Sequence, residues 1–130
     1  MNLELYKKII NEFNNSNFKK SYSLAIKLNK NQYNEKILKI LTISSFKIQN
    51  YIDAIKYGLK LYTLKKIEND KQILNILGVS YSINKDYENG NIFLNKFLLI
   101  DPKNKSVKYN LALNYFEQKK YIDAEKILSE

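Results

Sequence analysis

A short aromatic motif recurs four times along this 130-residue sequence at nearly constant spacing. Each copy places an aromatic residue three positions before a small or hydroxyl-bearing residue, and the four aromatic residues are Phe18, Tyr51, Tyr87 and Tyr121. Their separations are 33, 36 and 34 residues. A constant period of this length indicates a repeat architecture, in which each unit buries its apolar face against its neighbours.

The segments around each motif have the periodicity of helices. Before the third motif, small and apolar residues recur at steps of three and four, at Leu74, Leu77, Gly78 and Tyr81. This spacing places them on one face of a helix. A second periodic run follows each aromatic residue, so every unit is predicted to contain a helix, a tight turn and a second helix.

Two local signals mark the ends of these helices. Asp86 precedes Tyr87 and is expected to be an N-cap, because its carboxylate can accept hydrogen bonds from the free amides of the second helix. Asp101-Pro102 is expected to end the third unit and start the fourth. Proline cannot continue a helix but suits its first turn.

The third and fourth units carry a recognisable pattern. The segment 74–81, followed by Tyr87, Gly90, Leu94 and Pro102, resembles a tetratricopeptide repeat (TPR). The fourth unit is similar, and it matches at Leu111, Ala112, Tyr115, Tyr121, Ala124 and Leu128. The resemblance implies an all-α fold, a right-handed α-solenoid of about four antiparallel helix-turn-helix repeats.

The resemblance also implies one domain over residues 1–130, with repeat units at approximately 2–34, 35–70, 71–104 and 105–130. Small residues at Gly78, Gly90, Ala112 and Ala124 are expected to let the paired helices approach closely. No polar capping helix follows the last unit, although solenoids usually need one. Either the natural chain continues or another molecule covers that face, and of these we favour a fragment of a longer repeat protein.

In the first two units large and small residues exchange places. Ala25 and Gly58 stand where the pattern prefers a large residue, and Leu28 and Leu61 stand one turn later where it prefers a small one. The exchange preserves volume, so we expect helices here with a slightly different crossing.

Composition excludes several kinds of site. The sequence contains no cysteine and no histidine, which removes disulfides, zinc–thiolate sites, thiol catalysis and the usual general base. Asp53, Asp86 and Asp123 fall near the starts of second helices, where the helix dipole accounts for them. We expect no catalytic, cofactor-binding or metal-binding residues. No signal peptide or membrane-length apolar run is present, so a cytoplasmic protein is expected.

The TPR resemblance implies that the first helices line a concave groove, which binds a peptide or helix of a partner protein. The groove candidates are Lys36, Lys39, Phe46, Lys47, Gln72, Asn75, Val79, Ser82, Tyr109, Leu113 and Phe116. Such a lining offers apolar anchors together with groups that favour acidic ligands. For each group a competing interpretation stays open. The apolar residues Ile43, Phe46, Val79 and Phe116 could instead pack in the core. Lys36, Lys39 and Lys47 could instead face solvent without contacting a ligand.

The positive charge is uneven and supports rival functions. The net charge is +9 and every basic residue is lysine. Residues 1–69 hold 13 lysines against five acids, whereas residues 70–130 hold nine against eight. The basic half could bind nucleic acid or another polyanion, but we disfavour nucleic acid because no arginine supplies a bidentate fork. Self-association through the uncapped C-terminal repeat is the other alternative.

Overall fold

The computed structural model describes residues 2–64 and 69–130, and within these ranges every regular element is helical. The chain divides into two compact units, Met1–Lys65 and Lys66–Glu130. Unit 1 contains α1 (Leu3–Asn14), α2 (Phe18–Ala25), a short 3-10 helix (Lys30–Gln32), α3 (Glu35–Lys47) and α4 (Tyr51–Tyr62). Unit 2 contains α5 (Lys71–Ile83), α6 (Tyr87–Ile100), α7 (Lys105–Glu117) and α8 (Tyr121–Ser129).

Consecutive helices pair into four hairpins, which we number one to four in chain order: α1–α2, α3–α4, α5–α6 and α7–α8. The second helix of each hairpin begins at one of the four aromatic residues of the repeated motif, namely Phe18, Tyr51, Tyr87 and Tyr121. The predicted helix-turn-helix reading of the repeat is therefore confirmed.

The four hairpin turns share one backbone geometry that contains no glycine. The residue two positions before each aromatic has a positive φ of 61° to 65°, at Ser16, Gln49, Lys85 and Lys119. The next amide then bonds to the carbonyl five residues earlier, as Asn50 N does to Ser45 O at 2.8 Å. This hydrogen bond belongs to the Schellman motif, which usually places glycine at the left-handed position. The chain's glycines lie inside helices instead.

Asparagine or aspartate side chains cap six of the eight α-helices in the described ranges. The predicted cap at Asp86 is confirmed, because its Oδ1 accepts from the amide of Asn89 at 3.3 Å. Asn50 caps α4 in the same way, accepting from Asp53 N at 3.2 Å. All four first helices are capped too, by Asn2, Asn34, Asp70 and Asn104. Each such cap typically contributes about 1 kcal/mol.

In each unit one helix contributes more buried apolar residues to the core than any other: α3 in unit 1 and α5 in unit 2. In α3 the fully buried apolar residues include Ile37 and Leu41, and in α5 they include Ile73, Leu74 and Leu77. Burying one such side chain contributes roughly 1.5–3 kcal/mol relative to leaving it in water. The remaining fully buried apolar residues come from the other helices, among them Ile9, Ala25, Ala54, Leu61, Leu94 and Leu111.

Close approach of α5 and α6 depends on two glycines, as expected. A Cβ at Gly78 would lie 2.6 Å from Leu94 Cδ2. A Cβ at Gly90 would lie 2.6 Å from the hydroxyl of Ser82 and 3.1 Å from the carbonyl of Gly78. Unit 1 places Ser21 at the position that corresponds to Gly90, and its hydroxyl lies 2.7 Å from that of buried Ser44.

Two local features differ from the simplest reading of the sequence. Helix α2 ends at Ala25, and the chain then turns so that Leu28 reaches the core at 4% exposure. Pro102 lies in the turn before α7, whose first residue is Lys105, and not in the first turn of that helix. None of the helices in the described ranges is long and apolar enough to cross a membrane.

Candidate functional site

The candidate groove residues are divided between the two units. Lys36, Lys39, Phe46 and Lys47 lie on α3 of unit 1. The others lie in unit 2, with Gln72, Asn75, Val79 and Ser82 on α5 and Tyr109, Leu113 and Phe116 on α7. All are on first helices, where the resemblance puts them, and each unit is considered on its own.

Unit 2 brings three of the candidates together in one pocket. Val79 and Ser82 of α5 face Leu113 of α7 across a space of about 450 Å³. The pocket is completed by Ile83, Lys85, Tyr87, Asn110, Asn114 and Glu117. Leu113 and Ile83 keep 44% and 48% of their surface exposed. Pockets of this size and apolar character can bury one or two side chains of a ligand.

The floor of this pocket is held by two part-buried hydrogen bonds. Ser82 donates its hydroxyl to the carbonyl of Gly78 at 2.7 Å. Asn114, which is 3% exposed, donates its amide to the oxygen of Ser82, also at 2.7 Å. The serine hydroxyl has one proton and two lone pairs, so it can serve both partners at once. The floor is therefore organised before any ligand arrives.

The remaining unit 2 candidates do not line this pocket. Gln72 is exposed and Asn75 is half-buried on the first half of α5. Tyr109, 57% exposed, lines a separate cleft of about 630 Å³ with Ile127 and Leu128 of α8. Phe116 is 56% exposed and packs edge-on against Tyr121, with ring centroids 5.4 Å apart.

In unit 1 the candidates have different surroundings. Phe46 is half-buried and packs edge-on against Tyr51, with centroids 5.9 Å apart. The ammonium of Lys47 lies 5.9 Å from the centre of the Phe18 ring. Lys36 is exposed and Lys39 is half-buried. Lys47 also lines a shallow depression of about 530 Å³ together with two lysines of α2. The other residues that line it are Ser16, Asn17, Phe18, Lys19, Lys20 and Ile48.

Of the four apolar residues that could have been core residues, namely Ile43, Phe46, Val79 and Phe116, one is buried in the core. Ile43 is 5% exposed and belongs to the core of unit 1. Phe116 is more than half exposed, so it is not a core residue. Phe46 and Val79 are half-buried.

Several pocket residues were not among the sequence candidates. Lys85 and Tyr87 lie at the turn and start of hairpin three, and Asn114 lies on α7. A signal for them exists in the sequence. Three hairpins carry phenylalanine five residues before the motif aromatic, whereas the third carries Ser82. The pocket therefore lies where hairpin three has Ser82 in place of the phenylalanine ring of the other hairpins.

Two tyrosines of unit 1 have raised pKa values. Burial, followed by the hydrogen bond that Tyr22 donates to Asp53, raises the pKa of Tyr22. Burial also raises the pKa of Tyr57 to about 12, with contributions from Tyr33 and Asp53. Phenols with raised pKa values stay protonated as donors at neutral pH. In residues 2–64 and 69–130 no three Asp, Glu, His or Cys side chains are grouped to hold a metal ion.

Comparison with known proteins supports the fold. No protein-family model matches the sequence, and no curated protein matches it. Seven solved chains match the structure, among them the one described as MamA MSR-1 C2. That match has a TM-score of 0.81 and 15% identity, and it covers 93% of this chain and 69% of the other. MamA is a TPR-like protein, so the predicted all-α, TPR-like solenoid fold is confirmed.

Proposed function

We propose that this protein is an interaction scaffold and that unit 2 binds a segment of a partner protein between α5 and α7. The observation that carries the proposal is the 450 Å³ pocket, where Val79, Ile83 and Leu113 surround a prearranged polar floor. Exposed apolar side chains gathered in a concave space are typical of recognition surfaces. The TPR-like fold supports the same class of function by analogy.

The floor and the walls supply different parts of the binding energy. The apolar walls favour a hydrophobic anchor on the ligand, since burial of apolar surface drives most association. Asn110 offers an amide group beside the anchor, to which the backbone of an extended peptide can hydrogen-bond. A floor that is already ordered lowers the entropic cost of binding.

The charge of the chain favours an acidic partner. Lysine outnumbers acidic residues 13 to five over residues 1–69. Lys36, Lys39 and Lys47 contribute to this excess on α3. Positive surface charge speeds encounter with acidic ligands and does so less at high salt. Charge reversal at these three lysines should slow association, and an unchanged association rate would argue against the electrostatic part.

The test is a paired affinity capture with mass spectrometry, using wild-type protein and the Leu113→Asp variant. A charged side chain in the pocket wall should reduce retention of a true partner at least about tenfold. The matched control is Ile122→Asp on α8, because Ile122 is 84% exposed and lies outside this pocket. Proteins retained equally by all three chains would contradict the proposal.

A second candidate function is polyanion binding through unit 1. It is favoured by the depression where Lys19, Lys20 and Lys47 surround Phe18. Fluorescence anisotropy with a generic single-stranded RNA would test it. Binding that weakens steeply with added salt would support this function, because phosphate contacts release counterions. Absence of binding at low salt would end it.

A third candidate is self-association through the last hairpin. It is favoured by the exposure of Ile122 (84%) and Leu128 (61%) on α8. Light scattering at two protein concentrations would test it. A molecular mass that rises with concentration in wild-type protein and not in the Ile122→Asp variant would support this function; a constant monomer mass would contradict it.

A further inference from the structure

Three of the four hairpins contain the same aromatic contact. A phenylalanine near the end of the first helix packs edge-on against the motif aromatic five residues later, at the start of the second helix. The pairs are Phe13–Phe18, Phe46–Tyr51 and Phe116–Tyr121, with ring centroids 5.8, 5.9 and 5.4 Å apart. Their interplanar angles of 72°, 73° and 67° are typical of favourable edge-to-face packing.

Hairpin three has the same turn but lacks the first ring. Ser82 takes the position of the phenylalanine, five residues before Tyr87. Its hydroxyl is directed to the carbonyl of Gly78 and to Asn114, so the space that a ring occupies elsewhere is open. Tyr87 forms no ring pair with any aromatic residue in the described parts of the chain. Ser82 and Tyr87 both line the 450 Å³ pocket.

We propose that this pocket is a socket for an aromatic side chain of the partner segment, which packs edge-on against Tyr87 where the other hairpins use their own phenylalanine. The inference rests on the proposed function and specifies the chemistry of the ligand. Val79 and Leu113 would contact the faces of the inserted ring. Edge-to-face packing with Tyr87 favours a ring over an aliphatic chain of similar size.

The charges at the rim add a second requirement. Lys85 and Glu117 both line the pocket, are exposed and carry opposite charges. A partner segment therefore complements the socket best when acidic and basic side chains flank its aromatic residue, with the acidic one beside Lys85. The occupant to which we commit is an extended peptide with a central aromatic residue and flanking charges of opposite sign.

The experiment is a selection of random peptides displayed on phage, performed in parallel on wild-type protein and on Leu113→Asp. Peptides that bind only the wild-type protein define pocket ligands. Enrichment of Phe, Tyr or Trp at one position among them is the expected result. Enrichment of an aliphatic anchor there would overturn the socket while leaving the proposed function intact. If no peptide depends on Leu113, both the socket and the proposed function fail.

The best peptide is then synthesised with its aromatic residue intact, replaced by leucine and replaced by alanine. The alanine exchange should weaken binding to wild-type protein at least about tenfold, which corresponds to ~1.4 kcal/mol. The leucine exchange should weaken binding to the wild type but have little effect on binding to Tyr87→Leu, since that variant has no ring to contact. If the leucine exchange weakens binding to the wild type and to Tyr87→Leu by the same factor, the peptide ring does not contact Tyr87.

Filling the socket from within gives an independent readout. Ser82→Phe should restore the ring pair of the other hairpins and abolish peptide binding, whereas Ser106→Phe, at an exposed position of α7 outside the pocket, should not. Retained binding by a folded Ser82→Phe variant would overturn the proposal. Circular dichroism establishes whether that variant folds, and the peptide exchanges decide the question if it does not.

Discussion

Hairpins two and three differ at the place where the first helix meets the second. Both turn through a left-handed residue, Gln49 or Lys85, and both close with the same hydrogen bond between an amide and the carbonyl five residues earlier. In hairpin two, however, Phe46 packs against Tyr51, whereas in hairpin three the corresponding Ser82 supplies no ring to Tyr87. The backbone of the repeat is thus independent of that position, and one side chain decides whether the hairpin end is closed or open.

The largest expected effect comes from opening hairpin two. Phe46→Ser removes the edge-to-face contact with Tyr51 and part of the buried apolar surface. We expect a loss of about 2 kcal/mol in the free energy of unfolding, measured by urea denaturation with circular dichroism. Phe46→Leu keeps most of the apolar surface and should lose about 1 kcal/mol. Equal losses for the two variants would show that the ring contact does not contribute.

A smaller loss is expected from Gly90→Ala in hairpin three. The added Cβ would meet the Ser82 hydroxyl at 2.6 Å and the Gly78 carbonyl at 3.1 Å, so the bond between Ser82 and Asn114 must shift. We expect about 1–2 kcal/mol of destabilisation, despite the higher helix propensity of alanine. Alanine is the natural residue at the corresponding Ala54, where hairpin two is closed by Phe46. The double variant Gly90→Ala/Ser82→Ala lacks the Ser82 hydroxyl and should therefore recover part of the lost free energy of unfolding. If it recovers none, the clash with the Ser82 hydroxyl is not the cause of the loss.

Alkaline pH should act on unit 1 through Tyr57. Tyrosines of an unfolded chain ionise near pH 10, whereas the pKa of Tyr57 is raised to about 12. Its contribution to stability is therefore complete below about pH 10 and is lost as the pH rises toward 12. At about pH 11 the loss should be roughly 1 kcal/mol.

Comparison of urea midpoints for wild-type protein and Tyr57→Phe across this pH range isolates the contribution of Tyr57, since other groups titrate in both chains. If the two midpoints fall in parallel from pH 9 to 11, Tyr57 keeps an ordinary pKa in the folded protein.

The smallest expected effect is a gain at the two left-handed turn residues. Gln49→Gly and Lys85→Gly should each stabilise the protein by about 0.5 kcal/mol, because glycine adopts positive φ without a steric cost but loses more entropy on folding. Thermal unfolding would measure the gain. Since the turns share one geometry, the two variants should agree, and a loss at Lys85 alone would show that its side chain stabilises hairpin three.

Part of the site could be predicted from the sequence. Val79, Ser82 and Leu113 were expected to share a groove, and they meet in one pocket. Tyr109, Phe116 and Lys47, expected on the same groove, lie in other surroundings, because the placement of each depends on neighbouring helices. Lys85 and Asn114 were not expected, because the pocket that they line forms only when α5 and α7 come together in the tertiary structure.

What the sequence determined by itself is local. The start of each second helix at Phe18, Tyr51, Tyr87 or Tyr121 and the cap at Asp86 follow from interactions within a few residues, so periodicity and capping chemistry predict them. The tertiary structure decided the rest. It placed Asn114 beneath Ser82, 32 positions away in the chain, and left the side of Tyr87 open. Whether a side chain is buried or accessible depends on residues distant in sequence, which no local pattern contains.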